Sequence, residues 1–277
     1  MAAGAEPAVT RYFAALYSLP RPRRVLEQLS AIELEIGAAL RPGLEHRVAH
    51  VRLGWWREEC ERTRRGAPVH PLTRALVREF AGAPVDLDGL VDTALWDLAA
   101  ATFATRAELA GYCERWAHSL AGLAAASAAE GTAERAALER CGRTLGALLR
   151  ELQMLSELTA DARAGRLRVP LDELERAGIE PAALVRPPWP PALCALLRAR
   201  SGELRAQLAA TVAQLPSEAQ PRLRGLLVWC ALAYRQAQRL ERLLPGPLHS
   251  GRRQRLLDAW RAWGAARRAA HGRLLLQ

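Results

Sequence analysis

Two carboxylates stand four residues apart in the segment from Leu145 to Pro170, which reads LGALLRELQMLSELTADARAGRLRVP. Residues with this spacing lie about one turn apart on an α-helix, so Glu157 and Asp161 are predicted to share one helical face. Paired carboxylates are ligands that Mg²⁺ accepts in proteins, commonly together with bound phosphates. The other interpretation is a solvated acidic pair beside the arginines of the same segment. The spacing alone leaves both open.

The acidic pair lies near the end of a predicted helix that runs from Thr132 to about Ala162. The preceding predicted helix, Arg106 to Ala129, has no formal charge from Trp116 onward and consists mostly of small residues. Small side chains permit close approach of helices, so we predict that this helix is central. Alanine, leucine and arginine dominate the whole chain, and the valine- and threonine-rich blocks typical of β proteins are missing. The fold class is predicted to be all-α, with one domain over residues 1–277.

The formal net charge is +10, and all 39 basic residues are arginines. This excess favours diphosphates or anionic lipid headgroups as ligands. No zinc-finger spacing, recognition-helix signature or aromatic RNA-binding block accompanies the charge, so no nucleic-acid partner is expected. The five cysteines are isolated and are predicted to be buried hydrophobic residues in a reducing compartment.

The N-terminus has no basic and apolar segments of a signal peptide, and the longest apolar runs are too short to span a bilayer. We therefore expect a cytoplasmic protein, with a position at the periphery of the inner membrane as an open alternative. Residues 250–277 form a predicted basic, amphipathic helix that contains Trp260 and Trp263. Such a helix suits a membrane interface, although an ordinary terminal helix on the domain surface fits equally well.

A series of short motifs runs along residues 7–245, and no one of them is specific by itself. Together, in this order, they resemble the squalene/phytoene synthase family, the head-to-head prenyl-diphosphate synthases. The resemblance implies a single-domain isoprenoid (terpenoid) synthase fold, in which a helical bundle surrounds a central cavity. The motifs are PRxxR (Pro20–Arg24), WWRE (Trp55–Glu58), His-Pro (His70–Pro71), ELxxYCxRxA (Glu108–Ala117) and DARAGRLRVP (Asp161–Pro170).

The sequence departs from the family at both aspartate-rich motifs. The first falls near residues 30–42, which contain glutamates but no aspartate. In the second, only Asp161 is retained. Glu157 stands where the family has aspartate and keeps the charge on a longer side chain, and Arg150 stands where the family has glutamine. These losses resemble a degenerate branch of the family that includes a mitochondrial complex I assembly factor.

The resemblance also implies roles for individual residues, some of which have plainer interpretations. For Trp55 and Trp56 the favoured interpretation is packing in the core or close to it, and for His118 it is a satisfied buried histidine. The candidates are Glu157 and Asp161 for catalysis and metal binding; Arg150, Gln153 and Arg166 for diphosphate binding; and Glu35, Trp55, His118 and Tyr234 for the cavity.

Three hypotheses for the function follow. The favoured one is a squalene/phytoene synthase-like protein with eroded Mg-diphosphate motifs, non-catalytic or weakly active, which binds an isoprenoid diphosphate or isoprenoid lipid in an accessory role. Another is a basic helical adaptor for a membrane surface or a protein partner. The remaining one is an active synthase that condenses farnesyl or geranylgeranyl diphosphate with Mg²⁺ held by divergent carboxylates: Glu33, Glu35, Glu157, Asp161 and, if they are not surface or capping residues, Asp88 and Asp92.

Overall fold

The computed structural model describes residues 5–246 and 252–277, and the side chains of residues 9–246 and 256–277. Within these ranges the regular elements are helices and no strand occurs, so the all-α prediction is confirmed. None of the described helices is long and apolar enough to cross a membrane.

The α-helices of the described residues are numbered here in chain order. A π-helical turn, His118–Gly122, lies between α6 and α7, and two short 3₁₀ helices occur at Ala38–Leu40 and Pro181–Val185. The α-helices are α1 (Ala5–Tyr17), α2 (Pro20–Gly37), α3 (His46–Arg64), α4 (Pro71–Glu79), α5 (Asp88–Leu98), α6 (Arg106–Ala117), α7 (Leu123–Ala126), α8 (Thr132–Ser156), α9 (Leu158–Arg163), α10 (Leu171–Arg176), α11 (Pro191–Ala213), α12 (Arg224–Leu243) and α13 (Arg252–Ala270).

The described residues group into two compact units. The terminal unit is drawn from Met1–Ser18, Thr102–Gly111 and Leu148–Gln277, and the middle unit comprises Leu19–Ala101 and Tyr112–Ala147. A single domain over residues 1–277 stays a prediction.

Helix α2 provides the apolar spine of the middle unit. Its residues Val25, Leu29, Ile32 and Ile36 are buried and recur at the spacing of one helical face. This face packs against α4, α5 and α7. Pro20 lies in the first turn of α2, where the backbone N–H groups have no partner within the helix, so the N–H that proline lacks is not needed.

The predicted small-residue helix is buried, as expected, but it is not one continuous α-helix. Helix α6 passes into the π-helical turn and then into the short α7. Two glycines of α8 lie directly against this segment. A Cβ on Gly142 would stand 2.5 Å from the carbonyl oxygen of Ala121, and one on Gly146 would stand 2.4 Å from the Cβ of Ala121. The helices therefore approach as closely as their backbones permit.

In the terminal unit, α12 packs against α1, α11 and α13. Helix α1 is in such close contact that a Cβ on Gly225 would stand 2.4 Å from the carbonyl oxygen of Ala14. Among the described side chains of α13, the buried ones are Asp258 and four alanines: Ala262, Ala265, Ala266 and Ala269.

The chain beyond α13 is held by one buried side chain. The amide of Gln220 accepts a hydrogen bond from the N–H of Leu274 at 2.8 Å and donates one to its carbonyl oxygen at 3.3 Å. Leu274 itself is fully buried. These contacts fix the end of the segment that follows α13.

The predicted burial of the cysteines is confirmed at most positions. Four of the five thiols are buried, Cys141 is partly buried, and none forms a disulfide. Burial raises the pKa of the Cys60 thiol to about 12 and that of Cys141 to about 11.

A buried carboxylate, Glu59, holds the connection between α3 and α4. It accepts hydrogen bonds from the backbone N–H groups of Val69 and His70, from the Thr73 hydroxyl and from Arg62. Burial alone would raise the pKa of Glu59, but these hydrogen bonds outweigh burial and hold the pKa below its usual value.

Replacing Glu59 with glutamine is expected to lower the free energy of unfolding by about 3 kcal/mol at pH 7, since the ion pair with Arg62 is lost in a buried site. Because the folded-state pKa is lowered, this contribution is present above the pKa of the unfolded chain and is lost as pH falls through the folded-state pKa. Urea unfolding at pH 7 and at acidic pH measures both effects. Glu58→Gln, at a side chain 71% exposed, is the control and should change stability little; an equal loss there would contradict the assignment.

Gly142→Ala is expected to destabilise the protein by about 2 kcal/mol, because the added methyl group would overlap the Ala121 carbonyl. The matched control is Gly54→Ala within α3, where nothing lies within 4 Å of the added carbon. That variant should be neutral or slightly more stable, since alanine is the better helix former. Thermal unfolding of both variants checks the pair, and equal stability would show that α8 does not pack as described.

Candidate functional site

The predicted acidic pair lies at the junction of two helices. Helix α8 ends at Ser156, and Glu157 caps the start of α9 with φ −97° and ψ 4°. The predicted single helix to Ala162 is therefore interrupted. The N–H of Asp161 nevertheless donates to the carbonyl oxygen of Glu157 at 3.0 Å, so one helical turn still separates the two residues.

Asp161 is 7% exposed, and arginines engage both oxygens of its carboxylate. Arg166 donates to Oδ1 through Nε at 2.9 Å and Nη2 at 2.7 Å, while Arg168 donates to Oδ2 through Nε at 2.9 Å. The backbone N–H of Arg166 also donates to the Asp161 carbonyl oxygen at 2.9 Å, across a turn in which Gly165 has a φ of 78°. The alternative interpretation, an acidic pair beside arginines of the same segment, is thus confirmed for Asp161 in its contact with Arg166, but the carboxylate is buried rather than solvated.

Glu157 belongs to a chain of polar contacts within the terminal unit. The amide of Gln153 donates to Oε2 of Glu157 at 3.3 Å, and its oxygen accepts from Nη2 of Arg11 at 3.5 Å. The guanidinium group of Arg11 lies 5.2 Å from the centre of the Trp229 ring. Sequence reasoning did not identify Arg11, because its partner is 142 positions away along the chain.

Burial raises the pKa of Glu157 to about 7. The positive charge of Arg150 opposes this effect, and the negative charge of Asp161 adds to it. Arg150 and Gln153, both predicted diphosphate-binding residues, therefore both act on Glu157: Arg150 through its charge and Gln153 through a hydrogen bond.

A small cavity lies beside Gln153 in the terminal unit. Its lining is mainly apolar and includes Leu152, Trp229 and Ala233, with Thr10 among the polar members. Its volume of about 20 Å³ has room for about one water molecule. This cavity cannot accommodate a prenyl chain.

A second buried ionic cluster in the terminal unit was not predicted. Arg200 is 7% exposed and donates to Glu151 at 3.0 Å and to Glu173. Arg106 lies 3.3 Å from Glu203 at the border of this cluster. Arg200 is one of three arginines in α11, so the sequence did not single it out, and its two acceptors come from distant segments.

In the middle unit, the glutamates near the first family motif point to different partners. Glu33 accepts a hydrogen bond from the indole N–H of Trp116 at 2.7 Å. Glu35, a predicted cavity residue, has a side chain 52% exposed and lies 3.3 Å from Nε2 of His70. The cavity role of Glu35 stays a prediction.

The tryptophan pair of α3 divides between core and surface. Trp56 is buried, so core packing is confirmed for it, whereas Trp55 is 40% exposed and lies at the edge of the core. Both rings contact the imidazole of His70, with ring centres 5.0 Å away for Trp56 and 5.8 Å for Trp55. A residue that precedes a buried neighbour on a helix points about 100° away from it, which places Trp55 at this edge.

His118 and Tyr234, the other predicted cavity residues, both lie beside charged groups. His118 is in the π-helical turn, with Nε2 3.6 Å from Asp86 and Nδ1 3.8 Å from Glu139. The His118 imidazole lowers the pKa of Asp86. In the terminal unit, the guanidinium group of Arg205 lies 5.3 Å from the centre of the Tyr234 ring.

The DxxxD pair of α5 faces arginines of α3. Asp88 forms an ion pair with Arg64, and Asp92 forms one with Arg57 at 3.4 Å. These are the contacts of a surface pair. Within the part of the chain that the structure describes, no group of three or more His, Cys, Asp or Glu side chains is arranged to hold a metal ion.

Comparison with known proteins identifies the family. The squalene/phytoene synthase family model matches residues 7–261. The chain belongs to the squalene/phytoene synthase family. A search of curated proteins finds no significant match. Membership confirms the resemblance that the ordered motifs suggested; assignment to a degenerate branch stays a prediction.

Solved structures share the fold. A dehydrosqualene synthase, crystallised with a ligand, has a TM-score of 0.75 at 15% sequence identity, over 93% of this chain and 92% of that one. The squalene synthase HpnC from Alicyclobacillus acidocaldarius has a TM-score of 0.65 at 17% identity, over 87% of this chain and 94% of that one. These similarities confirm the isoprenoid synthase fold.

The raised pKa of Glu157 predicts how stability depends on pH. An unfolded glutamate has a pKa of about 4.3, so between about pH 4.3 and about 7 the folded state binds more protons at this site. The contribution of Glu157 to stability therefore falls as pH rises through this window. Glu157→Gln should gain about 2 kcal/mol relative to the wild type between pH 5 and pH 8.

Urea unfolding of the wild type and Glu157→Gln at both pH values measures this difference. Glu180→Gln, at an exposed glutamate of the same unit, is the matched control and should follow the wild type at both. Parallel pH profiles for Glu157→Gln and the wild type would show that Glu157 is already ionised in the folded protein at pH 5.

Proposed function

We propose that this protein binds an isoprenoid diphosphate or an isoprenoid lipid in an accessory role, with little or no Mg²⁺-dependent condensation. The family fold supports the ligand class, because members of this family are prenyltransferases. One observation carries the catalytic part of the proposal: Arg166 and Arg168 already engage both carboxylate oxygens of Asp161.

The residues of the second motif do not fit a Mg²⁺ ion. Two guanidinium groups lie against the single negative charge of Asp161, so the immediate surroundings of this carboxylate carry net positive charge. An incoming divalent cation would be repelled by these groups or would have to displace one of them. We therefore derive no reaction step through a metal ion.

The same charge distribution favours an anionic ligand. Arginine presents forked N–H donors that match the oxygens of a diphosphate. Arg150 and Arg166, with Gln153 between them along the chain, are the residues that we propose for this contact. In this role they would hold a ligand without ionising it.

An active head-to-head synthase is the alternative. It is favoured by the similarity to a dehydrosqualene synthase over 93% of this chain. In that case Glu157 and Asp161 would serve as the divergent carboxylates, and the ion pairs of Asp161 would have to open during turnover. Binding and turnover measurements separate the two functions.

The test is titration calorimetry of the purified protein with farnesyl and geranylgeranyl diphosphate, with and without Mg²⁺, together with an assay for released pyrophosphate. We expect saturable binding that does not require Mg²⁺ and no release of pyrophosphate above the rate without protein. Arg150→Ala should weaken binding about tenfold through the loss of a charge-assisted contact. Arg163→Ala, at an exposed arginine of α9, removes the same charge and should leave the affinity unchanged.

Two results would contradict the proposal. Mg²⁺-dependent pyrophosphate release that is abolished in folded Glu157→Gln and Asp161→Asn variants would establish the active synthase. Absence of binding to both diphosphates and to squalene-like lipids would exclude an isoprenoid ligand altogether.

A further inference from the structure

The outer face of α13 exposes large apolar side chains. Leu256 and Trp260 are each 69% exposed, and Trp263 is 43% exposed. Their spacing places them on one helical stripe, opposite the buried alanines of the same helix. The two indole rings lie 5.1 Å apart between centres. Exposed aromatic residues grouped in this way mark an interaction surface more often than isolated ones do.

Positive charge surrounds this stripe. A surface groove of about 380 Å³ between α12 and α13 is lined by Arg235, Arg261 and Arg268 together with Trp260. Arg267 places its guanidinium group 5.7 Å from the centre of the Trp263 ring. The groove thus combines forked phosphate donors with an indole ring.

Little negative charge opposes these arginines. From residue 256 to residue 277 the only acidic side chain is Asp258, which is 6% exposed and paired with Arg261 at 3.3 Å. On the neighbouring α12, Glu241 is paired with Arg205. The sequence places three more arginines at positions 252, 253 and 255, whose side chains lie outside the described residues.

We infer that the outer face of α13 docks on an anionic phospholipid membrane surface. Tryptophan favours the boundary between headgroups and acyl chains, because its ring is apolar and its N–H is polar. Arginines beside it attract anionic headgroups, and an amphipathic helix that lies in the plane of the interface combines the two effects. The charge of the face matches this occupant, and the exposed indoles distinguish it from a site for a free anion. This inference is independent of the isoprenoid ligand proposed above.

The test is co-sedimentation of the full chain with vesicles of pure phosphatidylcholine, or of phosphatidylcholine with phosphatidylglycerol. We expect binding to the anionic vesicles, weaker binding to the neutral ones, and a decrease at high salt because charge attraction is screened. Trp260→Ser with Trp263→Ser should lower the partition coefficient at least about tenfold, because two interfacial anchors are lost. Trp55→Ser, at an exposed tryptophan of the middle unit, is the control and should bind like the wild type.

A second variant tests the attraction between the arginines and anionic headgroups, with both tryptophans left in place. Arg267→Gln with Arg268→Gln should weaken binding to anionic vesicles by about fivefold for each charge removed and reduce its salt dependence. Arg163→Gln is the matched control on an exposed site. Circular dichroism of every variant verifies that the fold is intact.

Several outcomes would overturn the inference. Absence of wild-type binding to anionic vesicles would do so at once, and so would equal binding by the wild type and the folded tryptophan variant. Binding that inorganic phosphate abolishes equally in both proteins would identify a site for free anions. A wild-type dimer that becomes a monomer in the tryptophan variant, without vesicle binding, would show that a second copy covers this face.

Discussion

The carboxylate of Asp161 organises the segment that follows α9. Its backbone carbonyl accepts from the N–H of Arg166, and its side chain accepts from Arg166 and Arg168, so the chain is closed into a tight loop around one buried charge. From this loop the chain continues to Leu171, whose N–H donates to the carbonyl oxygen of Phe103 at 2.9 Å. The position of α10 therefore depends on a charge that the fold cannot leave unpaired.

Arginine is the cation in each of the buried carboxylate sites described above. Glu59 is paired with Arg62, Glu151 with Arg200, and Asp161 with two arginines. A planar guanidinium group can bond two acceptors at once, as Arg200 does with Glu151 and Glu173, whereas an ammonium group is a more strongly hydrated point charge. The weaker hydration of the guanidinium group therefore lowers the free-energy cost of burying these ion pairs.

The helical class, the order of the helices and the close packing around Ala121 could be predicted from the sequence, because each depends on local composition and periodicity. The turn between Glu157 and Asp161 was also predicted correctly. Arg150 and Arg166, from the same segment, were also predicted beside these two residues, whereas Arg11 and Trp229 were not, since they reach the site from remote segments. The exposure of Trp55 shows the same limit, because residue type indicates core packing while the direction of a helix face depends on the elements packed against it. The predicted roles of Arg150, Gln153 and Tyr234 concern contacts with a ligand.

The buried alanines of α13 have a consequence for how this helix and the segment after it are held in place. Each methyl group removes little apolar surface from water, so each of these alanines stabilises the contact less than a larger apolar side chain would. The segment that follows the helix is held by two hydrogen bonds between the Gln220 amide and the backbone of Leu274. Release of the segment after α13 would therefore break both of these hydrogen bonds and expose the Leu274 side chain to water.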